Sequence, residues 1–379
     1  MSDFVFITCQ VGAEPAVKQE IARQWPSLRF AFSRPGFLTF KRPDELKLPD
    51  DFDRKLVFAR AAGFCLGKAP GSTPAERIDS VVRSIGELSA TRLHVWPRDR
   101  FSPGYRDYEP GITAEAHDAD RLIRERLRET GASHLESTQA ATSISNFQFS
   151  IFNLESSSVA ATPSRSSKSR RREGAPLALD VILVEPDEWW LGFHRVHSTV
   201  SSWPGGFLAA ELPPQAVSRA WLKMQEALLW SGLPVKPGQR CTEIGSAPGG
   251  ASQFLLAQGL EVVGIDPAEM HPAVMADAHF RHIRKRSKEV PRREFVGVDW
   301  LTCDVNLPPN YTLDTVKAIV SHPGVRFRGM LLTLKLVEWT LAEQVPKYLD
   351  RVRSWGFHRV RARQLHHNRQ EICVAASRH

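Results

Sequence analysis

Cysteine is scarce in this chain of 379 residues, and its five copies, Cys9, Cys65, Cys241, Cys303 and Cys373, stand at least fifty positions apart. No CxxC pair exists, which speaks against a zinc ribbon, and a chain of this length needs no disulfide framework to hold a core. HExxH is missing among the thirteen histidines. The pair His366-His367 would face opposite ways on a strand, so no metal site is expected. Long apolar runs are also missing. The stretch Gly329-Met-Leu-Leu-Thr-Leu-Lys335 is short and ends on a charge, so no membrane span is expected. The opening Met1 to Cys9 has neither a basic region nor a long apolar one, which argues against a secretory signal. A reduced, cytoplasmic protein is the expectation.

Hydrophobic residues make up 42% and charged residues 24%, an ordinary globular composition that excludes wholesale disorder. At about 100–200 residues per domain the length predicts two or three domains. The formal charge is +8, and it is unevenly spread. Residues 201–379 hold 23 basic and 16 acidic side chains, whereas the first 200 hold 27 and 26. An anionic partner would meet the C-terminal half.

From Glu155 to Glu173 the chain carries seven serines and five Lys/Arg in nineteen residues. Such a segment buries too little apolar surface to offset its ordering entropy, which predicts a Ser/Arg-rich flexible loop or linker over 155–175. Before it the pattern is α+β. Strands are expected at Phe4–Cys9 and Gly36–Phe40, and helices at Glu14–Trp25 and Asp118–Thr130. After it strand and helix alternate. Strands are expected at Arg240–Gly245, Leu260–Asp266, Val298–Val305, Gly329–Leu336, Arg359–Leu365 and Glu371–Ala375. The intervening helices are placed at Gly250–Gln258, Leu313–Ser321 and Leu341–Trp355, where Pro346 should kink the last or set its start. Repeated βα units imply a largely parallel, doubly wound sheet.

The turn Glu243-Ile-Gly-Ser-Ala-Pro-Gly-Gly250 joins a strand to a helix. Its GxxxGG spacing fits neither the dinucleotide fingerprint nor a P-loop. It offers a tight turn, free N–H groups at a helix start, and room for a ligand to approach Gly245, Ala247, Pro248, Gly249 and Gly250. Asp266 closes the next strand, where a carboxylate can take both hydroxyls of a ribose. Loop and acid together point to a nucleoside cofactor.

The run Glu243 to Gln253 resembles the S-adenosyl-L-methionine loop of the FtsJ-type ribose 2′-O-methyltransferases. The resemblance implies a Lys-Asp-Lys-Glu tetrad, matched in chain order by Lys223, Asp304, Lys335 and Glu371, with Asp304 also near the cofactor. The stretches Trp300-Leu-Thr-Cys-Asp304 and Ala362 to Glu371 are similar to one branch, the bacterial 23S ribosomal RNA ribose methyltransferase M group. Leu56-Val-Phe-Ala-Arg60 is a weaker match to its THUMP-containing N-terminal region. The similarity is strong from about Leu179 onward and slighter before. The chain departs from the pattern at Glu243, Ala251 and Ala220, and Arg286 falls near the place of an expected acid.

The implied architecture is a Rossmann-like methyltransferase domain over 176–379, preceded by a smaller α+β THUMP-like region over 1–154. The implied activity is methyl transfer to an RNA ribose, most simply of 23S rRNA, with Lys335 as base and no obligate protein partner. Taken singly, Lys223 could pair with Glu226 on its own helix, Glu371 could be a strand-edge charge, and Asp304 a turn former. Lys335 is harder to place so, because it ends an apolar strand. The rival reading is a catalytically silent RNA-binding protein; a methyltransferase for a small molecule or protein fits the basic half less well. Seven Lys/Arg in Arg281–Arg293, and Arg359, Arg361 and Arg363 on one strand face, are candidate phosphate contacts.

Overall fold

The computed structural model describes residues 3–131, 135 and 175–378. The Ser/Arg-rich stretch, but for its last residue, lies outside the described residues. No helix among those described is long and apolar enough to cross a membrane.

Two seven-stranded sheets organise the chain. The first contains β1 (Phe4–Cys9), β2 (Arg29–Arg34), β3 (Phe37–Lys41), β4 (Ala59–Lys68), β5 (Arg92–Pro97), β6 (Leu177–Glu185) and β7 (Glu188–Arg195). Their order is β2-β3-β1-β4-β7-β6-β5, antiparallel throughout except for the parallel pair β5 and β6. Helices α1 (Glu14–Gln24), α2 (Pro74–Leu88) and α3 (Ala114–Glu129) accompany it. Thr73 caps α2 with a reciprocal bond from Glu76, satisfying two amides that the helix start leaves open.

Strands β6 and β7 follow the serine-rich stretch and the boundary expected at 176, and they complete the first sheet. The physical reason is non-local pairing: β6 lies parallel to β5, with His94 opposite Asp180 across nearly ninety positions of chain.

The second sheet holds β8 (Arg240–Ile244), β9 (Glu261–Ile265), β10 (Phe280–Ile283), β11 (Trp300–Cys303), β12 (Gly329–Lys335), β13 (Arg359–Arg363) and β14 (Glu371–Ser377). The order is β10-β9-β8-β11-β12-β14-β13; the first five are parallel, and β14 runs antiparallel to both neighbours. Around it lie α4 (Ala220–Ser231), α5 (Gly250–Ala257), α6 (Pro272–Met275), α7 (Pro309–Val320) and α8 (Val345–Arg353). Pro346 sits in the first turn of α8 and sets its start. This is the expected Rossmann-like α/β unit. Its strand order reverses between β8 and β11, which opens a crevice beyond their carboxyl ends.

The two sheets share one apolar core, running from Val5 and Ile7 through Phe58 to Leu332 and Val374. Polar contacts stitch the same seam. Arg363 Nη2 donates to Arg60 O at 2.7 Å, and the Gln364 amide donates to Val57 O at 2.7 Å. Arg363 is therefore buried between the units and drops out of the expected arginine face. Arg361 is also engaged, donating to Ser231 O at 2.8 Å.

Candidate active site

The crevice at the strand reversal is where the chemistry-bearing residues meet. Lys335 and Glu371 are register partners on β12 and β14, so their side chains leave the same face of the sheet side by side. Asp304 follows β11 directly, its amide donating to Ile244 O at 3.0 Å. Lys223 enters from α4. Its Nζ lies 2.6 Å from Asp304 Oδ2 and 2.6 Å from Glu371 Oε1, while Lys335 Nζ reaches Asp304 Oδ1 at 2.9 Å and also bonds Glu371 Oε2.

The four residues thus form a closed ring of alternating charge. Each lysine sits between two carboxylates rather than against the other lysine. Burial works against the Lys223 ammonium, but Asp304 and then Glu371 outweigh it and raise its pKa. Burial likewise works against the Asp304 carboxylate, yet the two lysines hold its pKa below the usual value. Glu371 is the most enclosed member, its side chain 7% exposed against 29% for Asp304.

The glycine loop forms the adjoining wall. Gly245 has φ near +80°, and a Cβ there would lie 2.3 Å from Asp304 O; one on Gly250 would lie 2.2 Å from Ser218 Oγ. Both positions need glycine for close backbone approach. Gly245, Ala247, Gly250 and Asp304 line the cleft together with Lys223 and Lys335. Counting its open mouth, the cleft holds about 840 Å³ of empty space.

Three expected cofactor residues do not line it. Gly249 packs against Val274 and Met270, and Pro248 O accepts the His271 amide at 2.9 Å. Asp266 ends β9 and ties the loop down, accepting the Ala247 amide at 3.2 Å and the Ala268 amide at 2.8 Å.

Further residues line the cleft, among them three positions where the sequence departs from the family pattern. Asn368 donates from Nδ2 to Glu371 Oε1 at 3.2 Å and lies within the run Ala362 to Glu371, so a signal for it exists. Glu243 is fully buried, takes a hydrogen bond from Ser252, and is pushed by burial to a pKa of about 8. Ala220 and Ala251 also face the cleft.

Two expectations change here. Glu226 does not pair with Lys223; it accepts the backbone amides of His366 and His367 at 2.7 and 2.8 Å. Those histidines lie in the turn after β13, not on a strand, with ring centroids 4.3 Å apart.

In the basic run, Arg281 pairs with Glu294 at 2.9 Å and Arg284 with Glu269 at 3.1 Å. Lys285, Lys288 and Arg293 are exposed and make no ion pair among the described residues.

The second sheet forms a Rossmann-like α/β unit with the charged ring at its strand reversal. Residues 216–352 match the model of the FtsJ-like methyltransferase family. The ribosomal RNA large subunit methyltransferase M of Halorhodospira halophila is 35% identical over 180 residues, 46% of this chain and 51% of that protein. The protein of the same name from Xylella fastidiosa strain 9a5c is 30% identical over 208 residues, 52% of this chain and 58% of that protein. The match spans about half the length of these relatives. Thermus thermophilus TrmN aligns over 99% of both chains, but at 13% identity and a TM-score of 0.34 the overlap is too loose to carry a conclusion.

Proposed function

We propose that the protein transfers a methyl group from S-adenosylmethionine to a ribose 2′-hydroxyl of RNA, with 23S ribosomal RNA as substrate. The observation that carries this reading is the closed Lys223–Asp304–Lys335–Glu371 ring opening into the cleft of the glycine loop. The donor set suits the cofactor: Asp304 brings a carboxylate to a cleft that would hold a sulfonium, and Thr302 Oγ1, which also lines it, has no hydrogen-bond partner among the described residues. Gly245, Ala247 and Gly250 would cradle it, with Asp266 fixing the loop.

The cofactor supplies an electrophilic methyl carbon. The protein's part is to align a hydroxyl with it and remove the proton. Positioning of this kind can supply much of the acceleration. A ribose hydroxyl is a poor nucleophile near neutral pH, so a base within hydrogen-bond reach is needed. Lys335 takes that role in its neutral form, Lys223 stays charged, and Asp304 and Glu371 hold both amines in place. With Lys335 neutral the ring carries one net negative charge, which a cation in the cleft favours. The first sheet, as a THUMP-like unit, would present the RNA. The carboxyl-terminal methyltransferase unit would then begin after Arg195.

Labelled methyl transfer to 23S rRNA from cells lacking the enzyme, with the product mapped as a 2′-O-methyl nucleotide, tests this. RNA binding without transfer would instead leave the silent RNA-binding reading.

A further inference from the structure

We infer that Phe101 and Tyr105 form a shelf that stacks an unpaired base of the substrate RNA beside the active-site rim. The inference rests on the RNA-modifying reading and adds to it a binding subsite supplied by the N-terminal unit. Phe101 is 46% and Tyr105 50% exposed, unusual for large aromatic side chains, and their ring centroids lie 5.6 Å apart at 32°. Tyr108 braces Phe101 from the side, edge-on at 5.7 Å, and is itself held by Asp99, whose Oδ1 accepts its hydroxyl at 3.3 Å. Arg106 lies over the Tyr105 ring at 5.3 Å, and Arg100 adjoins Phe101 in the chain, so the aromatic surface is framed by positive charge. Backbone φ values of +47° at Arg106 and +59° at Asp107 are costly for residues with a Cβ. The fold retains them to present this loop.

Its location decides the occupant. Glu109, four residues on, receives both Arg219 nitrogens at 2.6 and 2.8 Å and an Arg369 nitrogen at 3.3 Å. Gly104 lies so close to the Arg369 guanidinium that a Cβ would come within 3.1 Å of it. Arg219 begins the helix that carries Lys223, and Arg369 stands two residues before Glu371. The shelf is therefore clamped to the rim of the catalytic ring from both sides. Exposed aromatic rings framed by arginines suit a nucleobase with flanking phosphates, because every base offers a stacking face.

The test uses the full chain and a fluorescein-labelled single-stranded RNA of mixed sequence, titrated across a salt series. The double variant Phe101→Ala/Tyr105→Ala should weaken binding about ten- to a hundredfold. Its log–log salt slope should stay unchanged, since neither ring neutralises a phosphate. Tyr105→Phe should bind as the wild type does, and Tyr105→Leu should not. Calorimetric affinity for S-adenosylmethionine and the thermal melt report on folding. Wild-type affinity in a folded double variant overturns the shelf while leaving the RNA reading intact. Failure of the unaltered protein to bind any RNA overturns both.

Discussion

Lys223 and Glu226 leave one helix a turn apart and grip the same C-terminal hairpin at two points. Lys223 Nζ lies 2.6 Å from Glu371 Oε1 on β14, and Glu226 accepts the amides of His366 and His367 in the turn leading to it. Glu371 is thus placed by a strand whose entry is fixed by the neighbouring buried glutamate. Glu226→Ala would leave two buried amides unpaired, each costing about 1–3 kcal/mol. Denaturant unfolding should show a loss of that order. Glu226→Gln, which keeps one acceptor, should fall between, with turnover reduced more than cofactor affinity.

Lys335→Ala should abolish methyl transfer while cofactor binding persists. An interaction needed chiefly in the transition state lowers turnover far more than ground-state affinity. The cross-strand neighbour Glu371 then loses one of its two lysines, so a thermal melt must accompany the assay. A folded variant with near-normal turnover removes Lys335 from the base role.

Most elements of the second sheet are legible in the sequence because they are short runs bounded by glycine or a charge, and the tetrad through the family resemblance, with three of its members at strand ends and Lys223 on a helix. The N-terminal sheet is harder to read. Strand β4, with the sequence Ala-Arg-Ala-Ala-Gly-Phe-Cys-Leu-Gly-Lys, has two glycines and no β-branched residue, so its local signal is weak. Strands β6 and β7 are absent from the expected elements, and their partners β5 and β4 lie across a long chain separation that no local pattern encodes. Arg363 illustrates the same limit: two-residue periodicity gives its strand face, but not the second unit that buries it.

Asp266→Ala should weaken S-adenosylmethionine binding through the loop, by about 1.5–3 kcal/mol, because the Ala247 and Ala268 amides lose their charged acceptor. Asp266→Asn should recover part of the loss by keeping an acceptor for the loop. Calorimetric titration of both variants checks this. Equal affinity in the wild type and the alanine variant would remove Asp266 from cofactor binding.

Stability should fall as pH rises from about 6.5 to 9. Burial raises the carboxyls of Glu20 and Glu226 to about 7 and of Glu243 to about 8. Burial opposes protonation of His194, but Asp180, 2.7 Å away, prevails and raises its pKa to about 9. Each of these groups keeps its proton in the folded state at a pH where the unfolded chain has released it, so stability is lost as pH climbs through the folded value. Below about 6.5 the buried, neutral His94, His366 and His367 oppose the glutamates, since burial depresses all three and the unfolded chain takes up their protons. The optimum should therefore lie on the acid side of neutrality. Urea midpoints across pH 5–9 measure the curve, and Glu243→Gln should flatten its alkaline limb; a midpoint rising toward pH 9 contradicts the assignment.

The basic segment after β9 offers a test of how RNA reaches the cleft. Arg281 and Arg284 are already paired with Glu294 and Glu269, so they are the weaker candidates for phosphate binding. Lys285, Lys288 and Arg293 are exposed without such partners among the described residues, and they follow the strand next to the glycine-loop strands. Changing all three to glutamine should weaken RNA binding regardless of sequence. It should also flatten the salt dependence, by roughly 0.7 in log–log slope for each phosphate of a single strand that is no longer neutralised. The same change at Arg281 and Arg284 should act less, because each first has to leave a carboxylate. Binding across a salt series separates the two sets. An unchanged slope for the triple variant would make the segment a solvated face and shift the electrostatic grip to the rim held by Arg219, Arg369 and the aromatic shelf.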